Sequence, residues 1–305
     1  MKKTNRQKGL SLIELMIAMV VSLVLMAGIG TVYMSSKRNY QARDQLSLMD
    51  ENARVALNAL TKHLEHTGYA ATAAGVFPLP TPFVLTTPVA GTCSDGGSNI
   101  NTASTLNVTA DDASTTPAQQ TGRDTVGIAY VGDDALFIDC GNTEGNSITL
   151  SDTRAQRLKS LCKHGAAANV EGSLIYNTFS IGYATTPEKD SLGVSIPNLY
   201  CSGSVSANKQ SVAQGVDAMQ FMYGVDADGN DSVDQYLTAT QVTTANAWDR
   251  VISIKVALLM RSIEPVLPVK ESKTYRLLDK DVVRDDRYQH VVYNTVIQLR
   301  NRVDG

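Results

Sequence analysis

The sequence predicts an α+β protein in which one long N-terminal helix is laid against an antiparallel β-sheet head. Three observations carry this. Leu10 to Met34 contains a single charge, Glu14. Lys37 to His66 contains neither Pro nor Gly and places apolar residues in steps of three and four. The C-terminal third alternates with period two, strand after strand, without long helical stretches between them. The chain of 305 residues is 43% hydrophobic and 19% charged, which excludes a fully disordered chain and a many-pass membrane protein. The organisation expected is a leader over 1–9, a membrane-spanning half-helix over 10–34, an amphipathic half-helix over 35–67 and a β-rich head over 68–305.

The leader holds Lys2, Lys3, Arg6 and Lys8 and no acid; taking these 4 from the 27 basic residues leaves 23 against 30 acidic ones. Twenty-five residues of helix span roughly 37 Å, enough to cross a ~30 Å hydrocarbon core with some tilt. The basic flank keeps the N-terminus cytoplasmic, so the remainder of the chain is expected on the far side of the membrane. The run is too long for a secretory h-region, and an ordinary anchor gains nothing from Glu14, since an unpaired carboxylate at depth costs ~2.5 kcal/mol or more. Lys8-Gly9-Leu10-Ser11-Leu12-Ile13-Glu14-Leu15 closely resembles the class III signal of type IV prepilins. That resemblance implies cleavage by a prepilin peptidase between Gly9 and Leu10, and methylation of the new Leu10 amine. Leucine departs from the family's commoner phenylalanine at this position. Glu14 is then expected to neutralise the N-terminal cation of a neighbouring subunit when helices bundle, favouring one axial register.

Beyond the span, Leu46, Met49, Ala53, Leu57, Leu60 and Leu64 form an apolar stripe, and Gly68 is the expected terminator. His63 and His66 sit near that end, where a solvated, cationic histidine would suit the helix dipole. Residues 70–122 are rich in Ala, Thr, Ser, Gly and Pro and read as a long irregular connection, with short strands near Phe83–Leu85 and Thr105–Val108. Period-two strands follow at Met219–Val225, Ile252–Met260 and Val291–Leu299, with weaker candidates at Thr125–Val131, Ser147–Leu150 and Leu174–Tyr183. Their apolar face is expected to pack on the helix stripe.

The sharpest local motif is the run of oxygen-bearing side chains Asp226, Asp228, Asn230, Ser232 and Asp234, with Gly229 permitting a tight bend. Calcium takes six to eight oxygen ligands, and a short acidic loop can supply most of them. The pattern is not an EF-hand: the glycine precedes Asn230, and the flanking elements read as strands. An acidic hairpin turn is the competing reading. Cys93, Cys140, Cys162 and Cys201 all follow the span and lack any CxxC spacing, so disulfides are expected, with three pairings open. The chain shows no nucleophile elbow and no phosphate-binding glycine loop, so no enzyme is predicted. Lys280 to Arg287 mixes both charges and reads as a solvated surface rather than a nucleic-acid patch.

Tyr223 to Asn230, Asp234-Gln235-Tyr236, Trp248, Val251 to Ser262 and Leu299-Arg300-Asn301-Arg302 resemble PilW-type minor pilins. Residues 70–215 contribute only scattered matches. The resemblance implies a low-abundance subunit that primes type IV pilus assembly with other minor pilins near the fibre tip. The major pilin and the inner-membrane platform are further implied partners. The contexts of Cys140 and Cys201 look like a recurrent pair in such pilins, which implies a 140–201 bridge and leaves Cys93 with Cys162. A type II secretion pseudopilin and a surface-binding, adhesin-like tip module are the alternatives.

Overall fold

The computed structural model describes residues 11–69, 71–72, 75–76, 82–85, 108–112, 122–132, 140, 173–184, 186–203 and 209–301. The chain divides into two compact units, residues 1–47 and 48–305. In the first unit the described residues are helical from Leu12, and the large apolar side chains from Leu12 to Met34 are exposed, Leu12 at 78% and Met26 at 72%. Helix α1, Leu12–Leu64, ends in the second unit. The helix stops three residues before its expected end, because tighter bonds from the amides of His66 and Thr67 to the carbonyls of His63 and Leu64 close the last turn. Gly68 then takes φ +76°, the left-handed backbone of a helix terminator, and donates its N–H outside the helix to the Ala129 carbonyl.

The second unit contains two short strands, β1 (Ala71–Thr72) and β2 (Gly75–Val76), which pair with each other. They are followed by β3 (Val126–Gly132), β4 (Ser173–Gly182), β5 (Asn198–Gly203) and β6 (Gln210–Gln214). These four form an antiparallel sheet in chain order. Next come β7 (Val216–Val225), β8 (Gln235–Leu237), the one-and-a-half-turn helix α2 (Ala239–Thr244) and β9 (Val251–Arg261). The chain closes with β10 (Glu271–Leu277), β11 (Lys280–Asp286) and β12 (His290–Gln298). The second sheet has the order β12-β9-β7-β8, and β10 and β11 form a separate hairpin.

The antiparallel character agrees with the period-two reading, but there are two four-stranded sheets rather than one. Among the described residues their inner faces share one core with the helix. Met49, Ala53, Ala56, Leu60 and Leu64 are buried against Ile128, Phe179, Leu199, Phe221, Ile254 and Val256. Ala56 is fully buried in this seam, while Leu57 lies partly buried beside it, a small rotation from the expected stripe. Phe83, Tyr223 and Trp248 form an aromatic cluster with ring centroids 4.9–5.5 Å apart. On the other face of the second sheet, Leu277 and Val282 of the hairpin cover Ala218, Ala257 and Leu259. Strand β9 is therefore buried on both faces, which accounts for its unbroken Val256-Ala257-Leu258-Leu259-Met260 run. Of the weaker strands, β3 and β4 form; Phe83 makes only an isolated bridge to Ile128, and Ser147–Leu150 lies outside the described residues.

Candidate functional site

The first turn of α1 is held by its own side chains. The Ser11 N–H donates to Glu14 Oε2 at 3.0 Å, and the Ile13 N–H reaches Ser11 Oγ at 3.4 Å. Glu14 makes its half of a capping box, reaching back to the N-cap amide of Ser11, while the Ser11 hydroxyl serves the second amide of the turn instead of the third. Glu14 thus has a structural partner within its own chain, and its S-x-x-E spacing was the sequence signal for it. Further along, Ser22 and Thr31 donate their hydroxyls to the carbonyls of Ala18 and Gly28, so these polar groups are satisfied along the helix itself. α1 is long and apolar enough near its N-terminus to cross a membrane, and none of that window is buried by the protein. Gly9 and Leu10 lie outside the described residues.

The acidic loop joins β7 to β8 as a hairpin, with Val225 paired to Gln235. Asp226, itself buried, organises it: one carboxylate oxygen accepts the N–H groups of Gly229 (2.7 Å) and Asn230 (3.2 Å), and the other accepts that of Asp231 (2.8 Å). Burial raises the Asp226 pKa, but these three donors outweigh it and hold the carboxyl below its usual range. The bend needs left-handed backbone at Gly229 (φ +78°) and Asp231 (φ +61°). Asp234 accepts from the Ala227 N–H at 2.7 Å, and Asp228 from the Asn230 amide at 3.0 Å. Asp226, Asp228 and Asp234 each bring an oxygen within 4.8 Å of the others. Ligands 2.3–2.6 Å from a common ion lie at most about 5 Å apart, so these three carboxylates fit one calcium ion. Asn230 instead engages Asp228 and, through its own oxygen, the Ser232 N–H at 2.8 Å.

Cys140 and Cys201 are joined by a disulfide, with Cα atoms 6.0 Å apart. The bridge is tied to the helix through one side chain. The Cys140 N–H donates to Asn177 Oδ1 at 3.0 Å, and Asn177 Nδ2 lies 3.2 Å from His63 Nδ1. His63 also packs on Phe179, its ring centroid 5.7 Å away. Burial, reinforced by the charges of Lys62 and His66, lowers the His63 pKa to about 4. The solvated, cationic histidine expected at this helix end is therefore replaced by a neutral one, because β4 covers it. Cys93 and Cys162 lie outside the described residues.

Residues 183–301 match the family model described as type IV pilus-assembly protein W. Residues 4–30 match that of the prokaryotic N-terminal methylation motif. The two matches together support a PilW-type pilin, with a prepilin-type N-terminus ahead of a PilW-type C-terminal segment. No curated protein matches the chain. Among solved structures it is similar to a type IV-like pilin from Thermus thermophilus over 86% of this chain and 97% of the other, at 12% identity and a TM-score of 0.35, a score too low to carry an inference.

The matched segment, 183–301, opens just after β4 and contains the acidic loop, both strands of the β10–β11 hairpin and the C-terminal residues. Its end is latched to the helix: the Tyr293 hydroxyl donates to Asp50, the Asn301 amide donates to the Glu65 carbonyl at 3.0 Å, and Arg300 approaches the Glu65 carboxylate to 3.5 Å. It also contains a buried charge cluster that the mixed-charge reading of Lys280 to Arg287 missed. Arg284 is 2% exposed and donates to Asp217 at 2.5 Å; Arg123 and His290 each lie 3.6 Å from the same carboxylate. Beside it, Tyr288 donates to Asp190, and Arg261 stacks 3.9 Å over the Tyr288 ring. The alternation of Val282 and Arg284 with exposed neighbours was the available signal: a strand face carrying one guanidinium inward.

Proposed function

We propose that this PilW-type pilin is a minor subunit that primes type IV pilus assembly in a complex with other minor pilins and the major pilin. The supporting observation is the exposed apolar helix from Leu12 to Met34, whose large side chains none of the described residues buries. In the inner membrane lipid covers it; in a fibre the helices of neighbouring subunits do. Processing by prepilin peptidase leaves Leu10 as a methylated N-terminus, and the Glu14 carboxylate is then one turn from that amine. The head lies on the periplasmic side until assembly carries it to the cell surface. Asp226, Asp228 and Asp234 hold a calcium ion that neutralises mutually repelling charges and stiffens the β7–β8 hairpin. The role is structural and asks no bond-making of the chain. Detergent solubilisation after cross-linking in cells tests it: other minor pilins and the major pilin should co-purify. Recovery of secretion pseudopilins alone would overturn the pilus assignment.

A further inference from the structure

A cleft of about 210 Å³ opens between the β10–β11 hairpin, the segment around 183–194 and the end of β9. Its acids are largely engaged. Asp217 is held by Arg284 and Arg123, and Asp286 accepts the Tyr288 N–H; Asp190, outside the lining, accepts from the Tyr288 hydroxyl and from the N–H groups of Leu192 and Val194. Two of its cations are not. Among the described residues neither Lys270 nor Arg287, both lining the cleft, has a carboxylate within ion-pair distance; Arg287 donates only its Nε–H, to the Leu267 carbonyl. Arg261 also lines the cleft at 6% exposure; its Nη2 lies 4.0 Å from Asp190 and donates to the Ser195 carbonyl at 3.4 Å, while its Nε–H is buried with no hydrogen-bond partner. A buried, unmade donor of this kind costs about 1–3 kcal/mol, so a site that completes it has a built-in preference for an acceptor. The remaining unengaged acid, Asp285, is exposed on the hairpin. The opposite wall is apolar, and its side chains are open to solvent: Tyr183 at 41%, Leu192 at 53% and Val194 at 43%.

We propose that this cleft binds a carboxylate carried on a short apolar stem, the acid seated among Arg261, Lys270 and Arg287 and the stem against Leu192, Val194 and Tyr183. Guanidinium groups suit a planar, two-oxygen acceptor better than a point charge. The volume is that of about seven waters at ~30 Å³ each, room for a single amino-acid residue. The chemistry is shared by the C-terminal residue of a protein chain and by a free aliphatic acid. Both are charged at neutral pH, and both place apolar carbon beside the carboxylate.

The test uses the full chain in detergent and an N-terminally fluorescein-labelled Ala-Ala-Leu peptide with a free C-terminal acid, followed by anisotropy. The acid peptide should bind, its amide at least tenfold more weakly, and Lys270→Glu with Arg287→Glu should weaken the acid form by a similar factor while leaving the Trp248 fluorescence melt unchanged. Equal binding of acid and amide, or equal binding by the double variant, overturns the proposal. So does displacement by inorganic phosphate at the concentration at which unlabelled acid peptide displaces. Displacement by butyrate as effective as by the unlabelled peptide supports a free small acid as the ligand; displacement only by the peptide supports a chain end.

Discussion

Replacing Asp217 by alanine isolates the buried charge cluster of the head. The carboxylate is 6% exposed and lies 2.5 Å from Arg284, itself 2% exposed, with Arg123 and His290 at 3.6 Å. Burial opposes ionisation of Asp217, yet His290 and Arg284 outweigh it and hold the carboxyl far below its usual range. The substitution therefore strips the counter-charge from a guanidinium that cannot reach bulk water. Breaking such a buried pair costs about 3–5 kcal/mol, which lowers the melting temperature of a domain this size by roughly 6–20 °C at ~2–4 °C per kcal/mol. The single tryptophan, Trp248, sits buried in the aromatic cluster and reports the transition directly. Because the folded pKa is depressed, this stability is fully present above the unfolded value near 3.9 and is lost as pH falls through the folded one. The wild-type advantage over Asp217→Ala should hold from neutral pH to about pH 4 and shrink below it. Pairing Asp217→Ala with Arg284→Met should restore most of the loss, since an apolar residue needs no counter-ion. A single variant that melts within ~1 kcal/mol of wild type would refute the reasoning.

Other outcomes test the remaining sites. Millimolar calcium should raise the melting temperature and chelator lower it, by about 2.7 kcal/mol at a hundredfold excess over Kd, and Asp228→Ala should erase the difference. His63 is neutral in the fold with a pKa of about 4 against ~6.5 unfolded, so its contribution is present above pH 6.5 and lost towards pH 4, by up to ~3 kcal/mol; denaturant titrations of His63→Gln should show a flatter pH profile over that window. Glu14→Ala should leave the head folded and the helix inserted yet reduce incorporation into pili. Glu14→Gln, which keeps the capping box but not the charge, should fail equally if charge pairing between subunits is what Glu14 supplies, and should assemble normally if capping is.

Much of the fold was legible because it is written in periods. The three-four spacing of Met49, Ala53, Leu60 and Leu64 reflects one buried face, and the bulky alternate residues of β7 and β9, such as Phe221, Tyr223, Ile254 and Val256, mark the face those strands turn to the core shared with the helix. The division into two sheets was not legible, because the strands of the first sheet are separated by segments without a period and by a long connection. The β10–β11 hairpin was missed for a local reason. Its turn places Leu278 at φ +52°, where glycine or asparagine is the usual signal, and its strands Glu271–Leu277 and Lys280–Asp286 are too polar to look like sheet. The apolar pair it does contribute, Leu277 and Val282, matters only because the outer face of β9 is also apolar.

Sites followed the same division between what spacing states and what packing decides. Glu14 stood out as a charge in an apolar run, yet the same four residues, Ser11 to Glu14, also spell a capping box, and Glu14 makes its half of it by accepting the Ser11 N–H. The two readings are compatible in physical terms. A cap in hydrocarbon satisfies the Ser11 N–H with one carboxylate oxygen and leaves the other oxygen, with the net charge, available to a cation from elsewhere. The acidic loop was legible because oxygen-bearing residues at alternate positions are rare outside turns. Its hierarchy was not: Asp226 spends its carboxylate on three backbone donors, whereas Asp228 and Asp234 stay exposed. Asp226 therefore fixes the loop, while Asp228 and Asp234 each bond once within it and remain exposed to solvent.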